Sequence, residues 1–245
     1  MSAPGRSLGL VLLLALDTAT GVVTVALHDG SRVLAQEDVA RPREHAEHLA
    51  PAIRTVLRAA GAAPADVTDV VAGTGPGPFT GLRVGLVTAA TFADAIGAQV
   101  GGICSLDAIA HEVWLSGTAG ERLVVATDAR RKEVYWAGYR LDETGAHRVD
   151  EPQVGPAADL PQEMRTWPVA GRGPLIYPEA FGPGLSTLDV SSGAMAHLAV
   201  QRLRDGVGLD EPRPLYLRRP DATPSAPRKL VTPAGPPGAP AKGAR

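Results

Sequence analysis

Residues 70–85 read VVAGTGPGPFTGLRVG, and the rest of the chain is organised around them. The apolar run 70–72 predicts a strand buried on both faces, and the Gly and Pro cluster after it prevents that strand from continuing. Thr80 is predicted to cap a helix whose apolar positions recur at steps of three and four residues up to Gly97. The stretch therefore predicts a strand, a glycine-rich loop and a helix in succession.

The predicted loop offers candidate phosphate contacts at Gly75, Gly77, Thr80 and Gly81. Glycines let a phosphate approach the backbone, and unpaired N–H groups point out of the first turn of a helix. Two familiar phosphate motifs nevertheless fail. The segment has no lysine for a Walker loop, and Pro78 stands where a dinucleotide motif needs its third glycine. Phosphate contact and a tight structural turn are equally good interpretations of this loop.

The composition is that of an ordinary globular protein, with 44% apolar and 20% charged residues in a chain of 245. The net charge of -2 argues against an overall field that attracts nucleic acid. A single cysteine, Cys104, excludes an internal disulfide and fits a reducing compartment. The apolar run 8–16 could pass for a secretory signal, but Asp17 cuts it short, so we interpret it as a buried first strand. We expect a cytoplasmic protein that does not bind membranes.

An internal repeat is visible in the chain. Residues 13–26 contain a strand, an aspartate, a tight turn and a second strand, and residues 123–139 contain the same series. Asp17 matches Asp128 at a spacing of 111 residues, and Ala15 matches Ala126 at the same spacing. The repeat predicts two lobes of similar topology, with the two aspartates facing one cleft.

Each of these aspartates has two interpretations. A carboxylate in such a cleft, with Thr18 beside it in the first copy, can orient a nucleotide phosphate through Mg²⁺. An aspartate at a strand end can equally make an Asx-turn to its own backbone. The two interpretations are equally good for each residue taken alone.

Residues 44–60 are predicted to form an amphipathic helix that ends at Gly61, with Pro51 delaying its start or kinking it. His45 and His48 lie one turn apart in this helix, which is acceptable spacing for metal ligands. No third ligand is evident, so we interpret both histidines as solvated or facing a partner, and we predict no metal site.

The remaining predictions concern organisation. We expect a flexible leader over residues 1–7 and a Pro-rich, mildly basic tail over residues 220–245. The first lobe is assigned to residues 8–104 and the second to residues 105–209, with an extended segment over residues 210–219 that can return to the first lobe. Residues 141–188 show little periodicity and are predicted to be irregular apart from short strands at 167–170 and 185–188. One helix is predicted over residues 105–115 with Ser105 as its cap, and another is predicted to follow a cap at Ser192. An Asp-Gly hairpin turn is predicted at residues 29–30.

These motifs resemble those of the TsaB (YeaZ) family. Residues 73–85 resemble its GPGSFTGLRIG-type block, with Pro78 in place of the usual serine. Four further segments resemble its opening strand, first helix, second-lobe hairpin and C-terminal segment: residues 14–19, 45–51, 128–135 and 215–218. The resemblance spans residues 12 to about 219.

The resemblance implies a two-lobed actin/Hsp70-like (ribonuclease H-like) ATPase fold of class α/β, with duplicated mixed sheets flanked by helices. It implies a non-catalytic partner of the catalytic subunit TsaD, acting with the ATPase TsaE. That complex attaches threonylcarbamoyl to the adenosine beside the anticodon of tRNAs that read codons beginning with A. The chain itself would require no cofactor, would reach tRNA through the complex, and would leave ATP or ADP and Mg²⁺ to the complex interface.

In the family the partner surface is built from the first two helices of the first lobe. We therefore expect an exposed apolar stripe there, and a homodimer through it when the chain is alone. The candidate interface residues are His45, His48, Leu49, Ile53, Leu82, Arg83 and Leu86.

Two alternatives remain open. The first is a self-contained ATP-binding enzyme of this fold, either a small-molecule kinase or a glycoprotease-like hydrolase. A kinase of this kind needs Asp17 or Asp128 as a metal or base ligand. The second is a tRNA-binding adaptor that uses Arg130, Arg131, Lys132 and the tail.

Overall fold

The computed structural model describes residues 11–40 and 45–218, and for His45 only the backbone. The predicted leader over residues 1–7 and the predicted tail over residues 220–245 lie outside these residues.

The first sheet is built from apolar runs that the sequence places in buried strands. Its spatial order is β3-β2-β1-β4-β5, with β1 antiparallel to β2 and parallel to β4. Every residue of β1, β2 and β4 is buried, whereas β3 lies at the edge and is partly exposed. The strands are β1 Leu13–Asp17, β2 Val23–His28, β3 Val33–Val39, β4 Asp69–Gly73 and β5 Gln99–Ile103.

The predicted Asp-Gly hairpin joins β2 to β3. The Asp29 carboxylate accepts N–H bonds from Ser31 at 2.8 Å and Arg32 at 2.9 Å, and Gly30 adopts a φ of +88°. Aspartate and glycine suit these two positions because one side chain satisfies the turn's donors and the other residue tolerates positive φ.

Two helices cover one face of the first sheet, α1 over His45–Ala59 and α2 over Phe79–Ile96. Pro51 lies inside α1, so the prediction that it would delay the helix start is wrong. Thr80 does not cap α2, because the helix already begins at Phe79 and Pro78 occupies the cap position. The predicted end at Gly97 is confirmed, since this residue adopts a φ of +71°, which glycine tolerates best.

By length and composition, α2 is also the one helix in the described part of the chain that passes a test for a membrane span, with a mean hydropathy of 1.2. Its buried positions pack instead on the first sheet. Leu86 and Ala89 join Leu16, Val25 and Val56 in one apolar cluster. In this fold α2 therefore packs one face on the first sheet, and 33% of its residues are buried.

The second sheet has the order β10-β6-β7-β8, and β9 pairs with β7. Its strands are β6 Arg122–Arg130, β7 Glu133–Asp142, β8 Gly145–Arg148, β9 Gln153–Pro156 and β10 Val169–Ala170. Strands β8 and β9 fall within the region predicted to be irregular. Residues 185–188, predicted to be a strand, contain no strand residues, although Leu185 donates to the Val169 carbonyl at 2.8 Å and the Thr187 carbonyl accepts the Gly171 N–H at 2.7 Å.

Two further helices, α3 over Ser105–Ser116 and α5 over Ser192–Arg204, form a layer between the two sheets. The predicted caps are one residue late, because Cys104 and Ser191 occupy the N-cap positions. Residues from both sheets and both helices share one apolar core: Leu13, Val71, Ile109, Leu123, Tyr139 and Met195. A short helix, α4, covers Gly173–Ile176, and 3₁₀ turns lie at Pro64–Asp66, Ala157–Asp159, Met164–Thr166 and Pro178–Ala180.

The repeat appears in the topology of the sheets. In each sheet the first strand is antiparallel to the strand that follows it and parallel to a later one, β4 for β1 and β10 for β6. The residue register differs by one, because Ala15 opposes Ala26 whereas Ala126 opposes Trp136. A register shift between Asp128 and Arg130 accounts for this offset.

Candidate functional site

The glycine-rich stretch packs directly on the turn after β1. A Cβ on Gly73 would overlap the Asp17 carboxylate, and a Cβ on Gly77 would lie 2.5 Å from the Ala19 carbonyl oxygen. A Cβ on Gly81 would lie equally close to the Thr18 carbonyl oxygen, and the Thr18 hydroxyl donates to the Gly81 carbonyl at 2.7 Å. These glycines therefore allow close approach within the protein, which is the structural interpretation of the loop.

Asp17 is fully buried at the centre of this contact. Its Oδ1 accepts the Ala19 N–H at 2.7 Å, and its Oδ2 accepts the Ser105 hydroxyl at 2.6 Å. The Gly75 N–H in turn donates to the Ser105 oxygen at 3.1 Å. Burial raises the pKa of Asp17 to about 6, although these hydrogen bonds oppose the rise. We call Asp17, Ser105 and the glycines Gly73, Gly77 and Gly81 the buried junction.

A cleft of about 650 Å³ lies between the two lobes. The predicted candidates Thr80, Gly81 and Asp128 line it, whereas Asp17, Thr18, Gly75 and Gly77 do not. The expectation that both aspartates face one cleft is therefore wrong for Asp17. Other parts of the wall are apolar and come from Ala40, Pro78, Leu175, Ile176 and Leu188.

Asp128 sits in a second Asx-turn beside the cleft. Its Oδ1 accepts the Arg130 N–H at 2.7 Å, and its Oδ2 lies 3.2 Å from the Arg130 guanidinium. Arg130, Arg131 and Lys132 all adopt positive φ, at 62°, 57° and 65°. Such a run is strained for residues that carry a side chain. The extended C-terminal segment supports it, because Arg218 donates to the Ala129 carbonyl at 3.0 Å and pairs with Glu133.

Sequence analysis missed an ion pair in the cleft wall. Arg172 donates to both carboxylate oxygens of Asp189, at 2.8 and 2.6 Å. Leu175, three residues after Arg172 in α4, is 64% exposed, which is high for a leucine in a helix. Arg172 lies in the region that was predicted to be irregular, and Asp189 directly follows that region. The only sequence signal for this ion pair is the opposite charge of two residues that are seventeen positions apart.

The same C-terminal segment reaches the first lobe. Asp210 exchanges two backbone hydrogen bonds with Gly102 of β5, at 2.7 and 3.1 Å. Tyr216 stacks on Phe79 with ring centroids 4.7 Å apart, and its hydroxyl accepts from the predicted interface residue Arg83 at 3.1 Å. The guanidinium of Arg83 also lies 3.7 Å from the centre of the Phe79 ring. Arg83 is thus exposed but held in place.

The four apolar interface candidates are not on the surface. Leu49, Ile53, Leu82 and Leu86 are at most 6% exposed, so the expectation of an exposed stripe at these positions is wrong. The apolar stripe of each helix faces its own sheet, because that sheet is the larger apolar surface available. His48 is half-buried, and the His45 side chain is outside the described residues. The described residues contain no group of three or more His, Cys, Asp or Glu placed to hold a metal.

The outer sides of the two helices instead combine small apolar residues with charged ones, among them Glu47, Arg54, Arg58, Arg83 and Asp94. Ala46, Ala50 and Pro51 of α1 are exposed, and Ala90 and Val87 of α2 are exposed as well, Val87 to 63%. We call these five apolar residues the outer face. Its residues are small, which lets a partner backbone approach closely.

Two mixed sheets flanked by helices, with a cleft between the lobes, confirm the predicted two-lobed α/β fold class. A family model described as "TsaD: tRNA N6-adenosine threonylcarbamoyltransferase" matches residues 35–222. The structure of YeaZ from Pseudomonas aeruginosa superposes with a TM-score of 0.75 at 31% identity, covering 84% of this chain and 100% of that one.

Two sequence relatives agree with this match. The Escherichia coli tRNA threonylcarbamoyladenosine biosynthesis protein TsaB is 31% identical over 221 residues, which is 84% of this chain and 94% of that protein. An uncharacterised protein of Mycobacterium tuberculosis is 39% identical over 234 residues, which is 87% of this chain and 95% of that one. The chain belongs to the TsaB (YeaZ) family.

Proposed function

We propose that this chain is the non-catalytic partner subunit of a complex that forms threonylcarbamoyladenosine in tRNA. In this role it binds and activates a TsaD subunit, which transfers threonylcarbamoyl to the adenosine beside the anticodon of tRNAs that read codons beginning with A. Family membership and the name of the Escherichia coli relative support the pathway. The match to a family model that is described as the transferase supports a common ancestry of this chain and that enzyme.

The observation that carries the non-catalytic role is the buried junction. A kinase of this fold would need Asp17 or Asp128 as a metal or base ligand, and Asp17 does not fit that role because it is enclosed by Gly73 and bonded to Ser105. The glycines that resemble a phosphate loop hold the protein's own turn. Such a junction fixes α2 rigidly on the first sheet, and a rigid helix favours protein recognition.

We assign partner binding to the outer face. Exposed apolar residues on two adjacent helices are typical of a protein interface, and the buried positions beneath them hold the helices in place. The same face would serve the homodimer that forms when the chain is alone, so TsaD and a second copy would compete for it. TsaE would join through the complex, tRNA would be reached through TsaD, and all of this would take place in the cytoplasm.

Nucleotide is assigned to the complex and is not required by the chain alone. The cleft residues fit a phosphate group in part, since Arg130 and Arg172 bring two guanidinium groups and Thr80 lies in the first turn of α2. Both arginines already pair with carboxylates, Arg130 with Asp128 and Arg172 with Asp189. ATP or ADP would have to displace these pairs, and Asp128 and Asp189 would be the candidate carboxylate ligands for a bound Mg²⁺ in the cleft.

The test compares two exposed valines. Val87→Glu places a charge on the outer face, and Val207→Glu places the same charge on the second lobe, where Val207 is 72% exposed. We expect Val87→Glu to weaken binding to TsaD by about tenfold or more, because a charge would be buried without a partner. Val207→Glu should bind like the wild type. Calorimetric titration of TsaD into each purified chain measures both values, and equal affinities would remove the outer face from the proposal.

The second candidate is a self-contained ATP-binding enzyme, and the presence of Asp128 in a 650 Å³ cleft favours it. Under this candidate the purified chain alone would release ADP from ATP in the presence of a small acceptor, and Asp128→Asn would abolish the release. Under the partner proposal no release above a buffer control is expected. Direct tRNA contact through Arg130, Arg131 and Lys132 stays a prediction, and binding by this turn would weaken steeply with salt.

A further inference from the structure

Three histidines from three different elements lie side by side. His28 is the last residue of β2, His111 belongs to α3, and His197 belongs to α5. His28 and His111 are each 1% exposed, and His197 is half-buried. The ring of His197 lies between the other two, with centroid distances of 5.1 Å to His111 and 6.3 Å to His28. We call these three residues the histidine cluster.

A hydrogen bond joins two members of the cluster. Nε2 of His111 and Nδ1 of His197 are 2.9 Å apart. One of these nitrogens must carry a proton and the other must not, because two N–H groups cannot bond to each other. A second proton at this contact would therefore set two donors against each other and break the attachment of α5 to α3.

The third member also depends on an unprotonated nitrogen. Nδ1 of His28 accepts the Gly30 N–H at 2.9 Å, at the turn of the β2–β3 hairpin. An imidazolium ring has N–H groups at both nitrogens and accepts no hydrogen bond. Protonation of His28 would therefore replace this bond with two donors that face each other.

Charged residues from three elements surround the cluster. Arg202 and Arg204 of α5 disfavour protonation of the rings near them, whereas Asp29 of the hairpin favours it for His28. Asp107 of α3 is already bonded to Arg202 at 3.2 Å, and Asp205 lies exposed just after α5. The positive charges of α5 therefore add to the cost of a charged ring.

Burial lowers the pKa of all three rings, and the pKa of His111 falls from 6.5 to about 3. The folded state thus binds these protons less tightly than the unfolded chain does. The stabilisation by the cluster is full above pH 6.5 and, for His111, is lost progressively as the pH falls towards 3. Acid therefore weakens the contacts that the cluster makes.

We propose that the histidine cluster is an acid-sensitive latch that holds the C-terminal half of α5 against α3 and the β2–β3 hairpin. The N-terminal end of α5 has a separate attachment, because the Ser192 N–H donates to the Thr24 hydroxyl at 3.0 Å and the Ser192 hydroxyl donates to the Thr24 carbonyl at 2.8 Å. Acidification therefore loosens the helix from His197 onwards while the Ser192 end stays attached. Neither the proposed partner role nor the outer face enters this inference.

The test uses variants that keep the hydrogen bonds and remove the titration. In the double variant His111→Gln/His197→Asn, a glutamine amide replaces Nε2 and an asparagine amide replaces Nδ1, so one amide can donate to the other. His28→Asn likewise keeps an acceptor for the Gly30 N–H. His147→Gln is the matched control, because the His147 side chain is 53% exposed in β8.

Urea unfolding of the full chain between pH 5 and pH 7 gives the folding equilibrium constant of each variant. We expect the constant of the wild type, divided by that of the double variant, to fall at least tenfold from pH 7 to pH 5. His28→Asn should give a change in the same direction, and His147→Gln should follow the wild type. A ratio for the double variant that does not depend on pH would overturn the proposal.

Hydrogen exchange, corrected for the intrinsic effect of pH, locates the loosening within α5. At pH 5 the amides of residues 197–204 should lose protection in the wild type, whereas the Ser192 amide should keep it. Equal loss along the whole helix would contradict a local latch. Should the double variant fail to fold, proton spectra of the histidine rings replace it, and titration of His111 and His197 near pH 6.5 in the folded wild type would overturn the proposal.

Discussion

The two lobes contain the same turn in opposite environments. Asp17 is the last residue of β1 and Asp128 lies two residues before the end of β6, and each accepts the backbone N–H two residues later at 2.7 Å. Asp17 has no exposed surface and a pKa raised by burial to about 6, whereas Asp128 lines the cleft and pairs with Arg130. The difference shows that local sequence sets the turn, and that neighbouring elements decide whether its carboxylate is available.

The neighbouring elements differ for a visible reason. In the first lobe β4 runs alongside β1 up to Ala72 opposite Leu16, and Gly73 follows directly beside Asp17. In the second lobe β10 has two residues and ends opposite Val125, three residues before Asp128. The shorter strand leaves the second aspartate open to the cleft.

The largest expected effect comes from filling the buried junction. Gly73→Ala would force a methyl group onto the Asp17 carboxylate, and we expect a loss of about 3 kcal/mol in the free energy of unfolding. Gly120→Ala is the matched control, because nothing lies within 4 Å of a Cβ at that position. Urea unfolding measures both variants, and equal stability would show that the junction is not tightly packed.

A comparable effect concerns the pH dependence of stability. The pKa of Asp17 is about 6 in the folded chain, against 3.8 for an ordinary aspartate, so the folded state binds this proton more tightly. The resulting stabilisation is full below pH 3.8 and is lost as the pH rises through about 6, amounting to about 3 kcal/mol. Asp17→Asn keeps the Asx-turn acceptor and removes the titration.

The difference in stability between wild type and Asp17→Asn should therefore change between pH 4 and pH 7 in favour of the variant. Urea unfolding across this range measures the difference directly. The other titrating groups are common to both chains and cancel. A difference that is independent of pH would place the folded pKa of Asp17 near its ordinary value.

The smallest effect is expected at the other aspartate. Asp128→Asn removes a partly exposed ion pair with Arg130 but keeps an acceptor for the turn, and we expect a change of about 0.5 kcal/mol or less. The same urea measurement at pH 7 gives this value. A loss as large as that of Gly73→Ala would mean that the two turns contribute equally to stability.

The sequence predicted the parts of the fold that depend on local chemistry. The Asp29 turn and the end of α2 at Gly97 follow from residues with strong positional preferences. Strands β8 and β9 were missed because four-residue strands carry too little periodicity to stand out among Gly and Pro.

The candidate site was less predictable because it depends on distant contacts. Nothing local to α2 shows that Leu82 and Leu86 are buried while Val87 is exposed, since the helix is apolar on most sides. Nothing local to Asp17 shows that Ser105, 88 residues later, encloses its carboxylate. The pairing of Arg172 with Asp189 depends in the same way on the path of an irregular chain.

The most direct test of the central claim is threonylcarbamoyl transfer to tRNA in a reconstituted system that contains TsaD, TsaE and this chain. We expect Asp17→Asn to support modification at close to the wild-type rate, because its carboxylate is structural, and Val87→Glu to lose most of it. Loss of modification with Asp17→Asn in a folded chain that still binds TsaD, together with full activity of Val87→Glu, would contradict the account and assign catalysis to the first lobe.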